Sequence, residues 1–156
     1  LKAGFKMVND VTALRGDPKL LAILLKYAPY TVLMYSKDPT PRTTRDAVQY
    51  DDVIVTIAAF LRERTDALLR AGFPKNRILI DPGMGAFVSA DPKYSWEIIE
   101  RLGELQTLGY PILVGPSRKS FLGGGLSERD QKSWIAARQA IQNGASIVRM
   151  HTVQKN

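Results

Sequence analysis

The sequence predicts an α/β fold built on parallel strands, on three observations. Short apolar runs rich in β-branched residues alternate with longer segments of helical periodicity. Glycines follow the helical segments, where a left-handed cap suits them, and lead within a few residues into the next short run. Each short run ends in polar or otherwise distinctive residues, and parallel α/β folds carry their sites at the carboxyl ends of strands. Such alternation calls for right-handed crossovers between parallel strands.

Taken in order, the opening stretch LKAGFKMVND reads as the end of a helix leading into a first strand at Phe5–Val8. Asp17-Pro18 reads as an N-cap followed by proline in the first turn of a helix. The second strand is Thr31–Met34, followed by a functional or surface loop at Ser36–Thr44 that contains Pro39 and Pro41. In the clearest helix Val53, Ile54, Ile57, Ala58, Leu61, Leu68 and Leu69 form one stripe, with Arg62, Glu63, Asp66 and Arg70 off it. Gly72-Phe73 closes that helix and Ile78–Ile80 forms the third strand. Asp91-Pro92 opens a helix that runs to about Thr107 through Trp96, Ile98, Ile99, Leu102 and Leu105, closed by Gly109-Tyr110. Ile112–Val114 is the fourth strand. Gly123-Gly124-Gly125 is a flexible loop before the last helix, and Gly144 leads into a fifth strand at Ala145–Val148. No repeat, low-complexity tract or linker interrupts the chain, so residues 1–156 read as a single domain. A doubly wound open sheet and a barrel both fit this pattern. An eight-unit barrel takes about 250 residues.

Composition narrows the function classes. The 156 residues are 45% hydrophobic and 24% charged, as in a globular chain with a real core. The absence of cysteine excludes disulfides and thiolate metal sites and suits the cytoplasm. No apolar run approaches the roughly 20 residues of a membrane helix, and no signal-peptide pattern opens the chain. With no start codon either, the expectation is a piece of a longer protein. The 22 Lys+Arg against 15 Asp+Glu give a net charge of +7, which favours anionic partners. These basic residues are spread out rather than blocked, so a phosphorylated metabolite is favoured over nucleic acid.

The chemistry gathers at strand ends. Asp81, leaving a buried strand into a stiff Pro-Gly turn, can accept two hydrogen bonds from a planar amino-heterocycle or cap its own loop. Asn9 can read a heterocycle edge or serve as a structural asparagine. Met34 can pack against a ring or fill core. Ser117-Arg118-Lys119-Ser120 suits a phosphate, a carboxylate or a polar ring, with an exposed basic turn as the plain alternative. Arg149 and His151 alternate along the last strand and so share a face, an arrangement that suits anion recognition. A single histidine and no cysteine exclude the usual zinc sets. Neither a nucleotide phosphate loop nor a dinucleotide fingerprint is present.

Read together, VNDVTAL, VLMYS, ILIDPGMGAF, YPILVGPSRKSFLG and IVRMHTV resemble the dihydropteroate synthases, in order and approximate spacing over nearly the whole chain. The resemblance implies a TIM (β/α)8 barrel, incomplete here, of which this chain supplies about five strands, the fourth to the eighth. It implies a transferase of folate biosynthesis that condenses 6-hydroxymethyl-7,8-dihydropterin pyrophosphate with 4-aminobenzoate to give 7,8-dihydropteroate and pyrophosphate. Asn9, Met34, Asp81 and Lys119 would then meet the pterin, Phe87 and Ser120 the aminobenzoate, and Arg149 with His151 the diphosphate. Asp81, Lys119 and Arg149 would carry the catalysis. The expected cofactor is Mg2+, held through the substrate's diphosphate and parts of the protein outside this chain, with no metal ligand among these residues. A cytoplasmic homodimer is implied for the complete protein, and inactivity for the isolated chain. A methyltetrahydrofolate/corrinoid-type methyltransferase would share the roles of Asn9 and Asp81 but not the SRKSF segment. A non-catalytic pterin-binding domain is the other alternative. Departures from the family pattern fall at Ala86-Phe87-Val88-Ser89, where the phenylalanine is displaced and a lysine is missing, at Tyr35 in place of histidine and at Thr152 in place of aspartate. Similar rearrangement of this loop occurs in sulfonamide-resistant relatives, so an altered aminobenzoate pocket is expected.

Overall fold

The computed structural model describes residues 4–152. Strands β1 (Met7–Asp10), β2 (Tyr30–Met34), β3 (Ile78–Asp81), β4 (Leu113–Val114) and β5 (Ile147–Val148) alternate with helices α1 (Leu20–Tyr27), α2 (Val53–Arg70), α3 (Pro92–Glu100) and α4 (Leu126–Gln142). All pairings are parallel. One ladder runs β1-β2-β3 and another β4-β5, and a bridge between Ile80 and Ile112 joins them. Each strand thus lies beside its successor in the chain. A doubly wound sheet reverses its strand order at a switch point; the described strands show no reversal.

Register decides which side chains share a face. Asn9, Val32 and Leu79 are partners, as are Met34 and Asp81, and alternation puts all five on one side of the sheet. Val32, Leu79 and Leu113 pack together there as a small buried cluster. The opposite side meets the helices. Ile57 and Leu61 of α2, Ile98 and Ile99 of α3, and Ala136 and Ala140 of α4 pack with Ile80, Ile112 and Val114. Leu24 of α1 joins Leu33, Leu68, Phe73 and Ile78 in a second cluster. Burying a side chain of this size contributes roughly 1.5–3 kcal/mol, so these apolar stripes fix the helices on the sheet.

Several boundaries differ from the sequence-based expectation. The first strand is Met7–Asp10 rather than Phe5–Val8, because it forms only where β2 offers partners, from Met7 opposite Tyr30 to Asp10 opposite Leu33. Phe5 is 72% exposed. Asp17-Pro18 builds a turn just ahead of α1, with Asp17 Oδ1 accepting from the Lys19 amide at 2.8 Å, and Lys19 stands at the cap position without a side-chain bond. Asp91 does cap α3, and Asp52 caps α2 by accepting from the Ile54 and Val55 amides. The helix expected to reach Thr107 stops at Glu100, and Leu102–Leu108 continues as a 3-10 helix. Gly103 weakens the helix there. Arg101 at the junction donates to Glu97, Glu104 and the cap residue Asp52, at 2.7 to 3.0 Å. The three glycines at 123–125 form the entry of α4, where the Glu128 carboxylate accepts from the Gly125 amide at 2.8 Å.

Large apolar side chains at the start of the chain face solvent: Phe5 and Met7 at β1, Ile23, Leu25 and Tyr27 on α1, and Tyr30. Among the described residues β1 is paired on one side only, and such an edge normally needs cover.

Gly83 holds a turn with no room for a side chain. Its φ is +69°, and an added Cβ would collide with the carbonyl oxygen of Tyr35. Gly72, with φ +88°, has open space instead. Left-handed strain alone costs about 1–3 kcal/mol. In the complete protein Gly83→Ala is expected to lower the thermal midpoint clearly more than Gly72→Ala does; equal shifts would show that the Tyr35 contact is unimportant.

Candidate active site

The carboxyl ends of the strands bring the singled-out residues to one mouth of the sheet. Asp81 is the last residue of β3 and is 2% exposed. Its Oδ1 accepts from the Gly83 amide at 2.8 Å, and no other hydrogen bond reaches its carboxylate among the described residues. Burial pushes the carboxyl pKa up, while the Gly83 amide and the charges of Arg149 and Lys119 pull it down. Met34 lies beside Asp81 in register and is equally buried.

Arg149 follows β5, its amide donating to the Val114 carbonyl at 2.9 Å. Its Nη1 donates to Asn9 Oδ1 at 3.1 Å, so the ends of the first and last described strands touch across the mouth. The guanidinium lies over Gly115, where a Cβ would come within 3.0 Å of Nη2. His151 is fixed by Ser117, whose Oγ accepts from the His151 amide at 3.1 Å and bonds Nδ1 at 2.8 Å.

Lys119 is aimed by its neighbour. Arg118 has φ +59°, a conformation that costs a non-glycine residue free energy and is kept only where the surroundings impose it. Here the Arg118 amide donates to Ser133 Oγ at 3.0 Å, and the guanidinium grips Asp130 of α4 at 2.7 and 3.0 Å. Arg118 is therefore tied outward, with Thr152 Oγ1 also in reach at 3.4 Å. Lys119 turns inward, donating from Nζ to the Met84 carbonyl at 3.1 Å and standing 4.8 Å above the Phe87 ring. Burial lowers its ammonium pKa and Arg149 adds to this, while Asp81 opposes both.

Two cavities open here. One, of about 410 Å³, is bordered by Met84, Phe87, Lys119, Ser120 and three arginines, Arg45, Arg118 and Arg129. The other, of about 510 Å³, is bordered by Gly115, Ser117, Lys119, Arg149, Met150 and His151. Lys119 borders both. Asn9, Met34 and Asp81 border neither; Met34 and Asp81 lie beneath the surface, and Asn9 turns to Arg149. The arrangement can hold two anionic ligands side by side and bring them together at Lys119, above a buried carboxylate. Sequence reasoning missed Arg45, Met84, Arg129 and Met150 as wall residues. Arg45 comes from the irregular stretch at 35–52, where no periodicity marks one residue over another.

A divalent cation does not fit these side chains by themselves. Among the described residues no three His, Asp or Glu side chains converge as a metal ion needs, and the groups at the mouth are mostly cationic.

The family model described as pterin binding enzyme matches residues 1–151. The dihydropteroate synthase of Synechocystis sp. is 34% identical over 159 residues, covering 99% of this chain and 54% of that protein. The dihydropteroate synthase of Xanthomonas albilineans with 4-aminobenzoic acid superposes with a TM-score of 0.88 at 36% identity, over 97% of this chain and 56% of that one. The same enzyme in complex with 7,8-dihydropteroate gives 0.84 at 36% identity, over 97% and 55%. The chain spans about half the length of the curated relatives it matches. With a family match along nearly its whole length and the fold of these structures, the chain belongs to the pterin binding enzymes.

Proposed function

We propose that this chain is part of a dihydropteroate synthase and supplies the fourth to eighth strands of its barrel. The observation that carries the reading is that Lys119 borders both cavities at the strand ends, with Phe87 and Ser120 on one and Arg149 and His151 on the other, while Asp81 ends the neighbouring strand β3 as a buried carboxylate. Relatives of the same fold bind 4-aminobenzoic acid and 7,8-dihydropteroate, which supports two substrates at one mouth. The complete protein is read as a cytoplasmic homodimer; among the described residues no helix is long and apolar enough to cross a membrane.

In this reading the Asp81 carboxylate accepts hydrogen bonds from the amino-heterocycle, with Asn9 and Lys119 on its edge and Met34 behind it. Arg149 and His151 hold the diphosphate. The aromatic amine sits over Phe87 and beside Ser120. Its nitrogen attacks the pterin methylene carbon, forming a C–N bond as the C–O bond breaks. The electron pair leaves on the diphosphate, and the proton displaced from nitrogen passes to solvent. Arg149 stabilises the departing charge and Asp81 the positive charge developing on the pterin. No covalent nucleophile is needed.

Product formation from the pterin pyrophosphate and 4-aminobenzoate tests the reading and separates it from a methyltransferase. The complete protein is expected to turn over and the isolated chain is not, since the remaining barrel units help close the site. Turnover by the isolated chain, or none by the complete protein, contradicts this. Asp81→Asn removes the acceptor charge, and losing a charge-assisted hydrogen bond of about 1.5–3 kcal/mol should weaken pterin pyrophosphate binding at least tenfold by titration calorimetry. Pterin affinity should also follow pH in a bell. Asp81 must be ionised, and its raised pKa makes affinity fall with decreasing pH from above the ordinary carboxylate value of 3.8. Lys119 must be charged, and its lowered pKa starts the alkaline loss below the ordinary lysine value of 10.5. Limbs at the ordinary values would contradict these roles. The rearranged loop at Ala86-Phe87-Val88-Ser89 is read as lowering sulfonamide sensitivity, and inhibition equal to that of ordinary relatives would overturn this.

A further inference from the structure

The cavity beside Ser120 carries more positive charge than the chemistry above uses. No carboxylate borders it, while Arg45, Arg118, Lys119 and Arg129 all do. Arg118 is neutralised by its two bonds to Asp130, and Lys119 is occupied with the Met84 carbonyl and the Phe87 ring. Arg45 and Arg129 remain. Neither has a carboxylate within ion-pair distance among the described residues, and the Nε of Arg129 is buried without a partner.

Arg45 is exposed, yet its backbone is pinned on both sides to the loop that carries Phe87. Two residues before it, Thr43 Oγ1 donates to the Ala86 carbonyl at 3.0 Å. One residue after it, the Asp46 carbonyl accepts from the Ala90 amide at 3.0 Å. Further stitches run from the Lys37 amide to the Phe87 carbonyl at 2.8 Å and from Ser89 Oγ to the Val48 carbonyl at 2.9 Å. The Asp38 carboxylate tightens the turn ahead of Arg45, accepting from Lys37 Nζ, Thr43 Oγ1 and the Thr44 amide at 2.7 to 2.9 Å. The backbone that carries this cation is thus held in register with the aromatic floor of the cavity.

We propose that Arg45 is a specificity-determining residue for the second substrate, binding the carboxylate at the end of the ring remote from the reacting amine, with Arg129 behind it. This rests on the two-substrate reading above. The amine lies at the Lys119 end, where the two cavities meet, and the acid at the arginine end. A neutral analogue leaves both guanidinium groups without an anion and binds less tightly than the acid.

The test compares 4-aminobenzoate with its neutral amide, 4-aminobenzamide, in the complete protein, by equilibrium titration and by turnover. Wild type is expected to favour the acid. Arg45→Gln should raise the Kd and KM for the acid about tenfold, the low end for a charge-assisted bond at a solvent-open site. It should leave the values for the amide and for pterin pyrophosphate unchanged, and Arg45→Lys should recover part of the loss. Equal losses for acid and amide would mean that Arg45 only supports the loop, and an unchanged preference would mean that it does not touch the acid; either overturns the proposal. Acid-selective binding lost in Arg45→Gln without any turnover would keep this assignment and sink the synthase reading instead.

Discussion

A carboxylate at the end of a strand buried on both faces is costly to keep charged, and this one governs the layout around it. Among the described residues the Asp81 carboxylate accepts one hydrogen bond, from Gly83; burial pushes its pKa up, and that amide with the charges of Arg149 and Lys119 opposes the rise. Removing one partner of such a group leaves an uncompensated buried charge. The other features of the mouth follow from placing those two cations. The left-handed Arg118 turns Lys119 inward, and the absence of a side chain at Gly115 lets the Arg149 guanidinium lie close over the backbone of β4. Gly83 brings its amide to the carboxylate in a turn too tight for any Cβ.

The fold supplies rigidity where the site needs it and leaves it out elsewhere. Residues between β2 and α2 form no helix or strand, yet they are bonded repeatedly to the segment following Asp81. Tyr50 is a main peg: its hydroxyl donates to the Val88 carbonyl at 2.7 Å and meets the Tyr35 hydroxyl at 3.1 Å, and its amide donates to the Tyr94 hydroxyl. Burial and the Tyr35 hydrogen bond push the Tyr50 hydroxyl pKa well above the ordinary tyrosine range, so it stays a neutral donor. Two loops are thus locked into one wall of the cavity bordered by Phe87 and Ser120. At the other end of the chain large apolar side chains of β1 and α1 face solvent.

The core and the strand-end chemistry were legible because each leaves a local mark. Apolar stripes at helical spacing identified α2, and the interruption of a buried run by Asp81 or by Ser117-Arg118-Lys119-Ser120 pointed to the mouth. What was not legible depended on partners distant in sequence. The limits of β1 follow its register with β2, so exposed Phe5 reads as strand and paired Asn9 does not. The break after Glu100 reflects one arginine bridging two helices and a 3-10 turn. Arg45 gains its place only from stitches between residues roughly 40 positions apart, and Arg118's positive φ has no glycine or asparagine to announce it.

In the proposed function Asp81 and Lys119 hold the pterin as one charge-coupled pair. A double-mutant cycle on pterin pyrophosphate affinity in the complete protein, with Asp81→Asn, Lys119→Gln and the pair together, tests it most directly. Coupling should appear as an interaction energy of about 0.5–3 kcal/mol, the range for residues sharing one polar network. Strict additivity of the two single losses would show that the carboxylate and the ammonium work independently and would contradict the account.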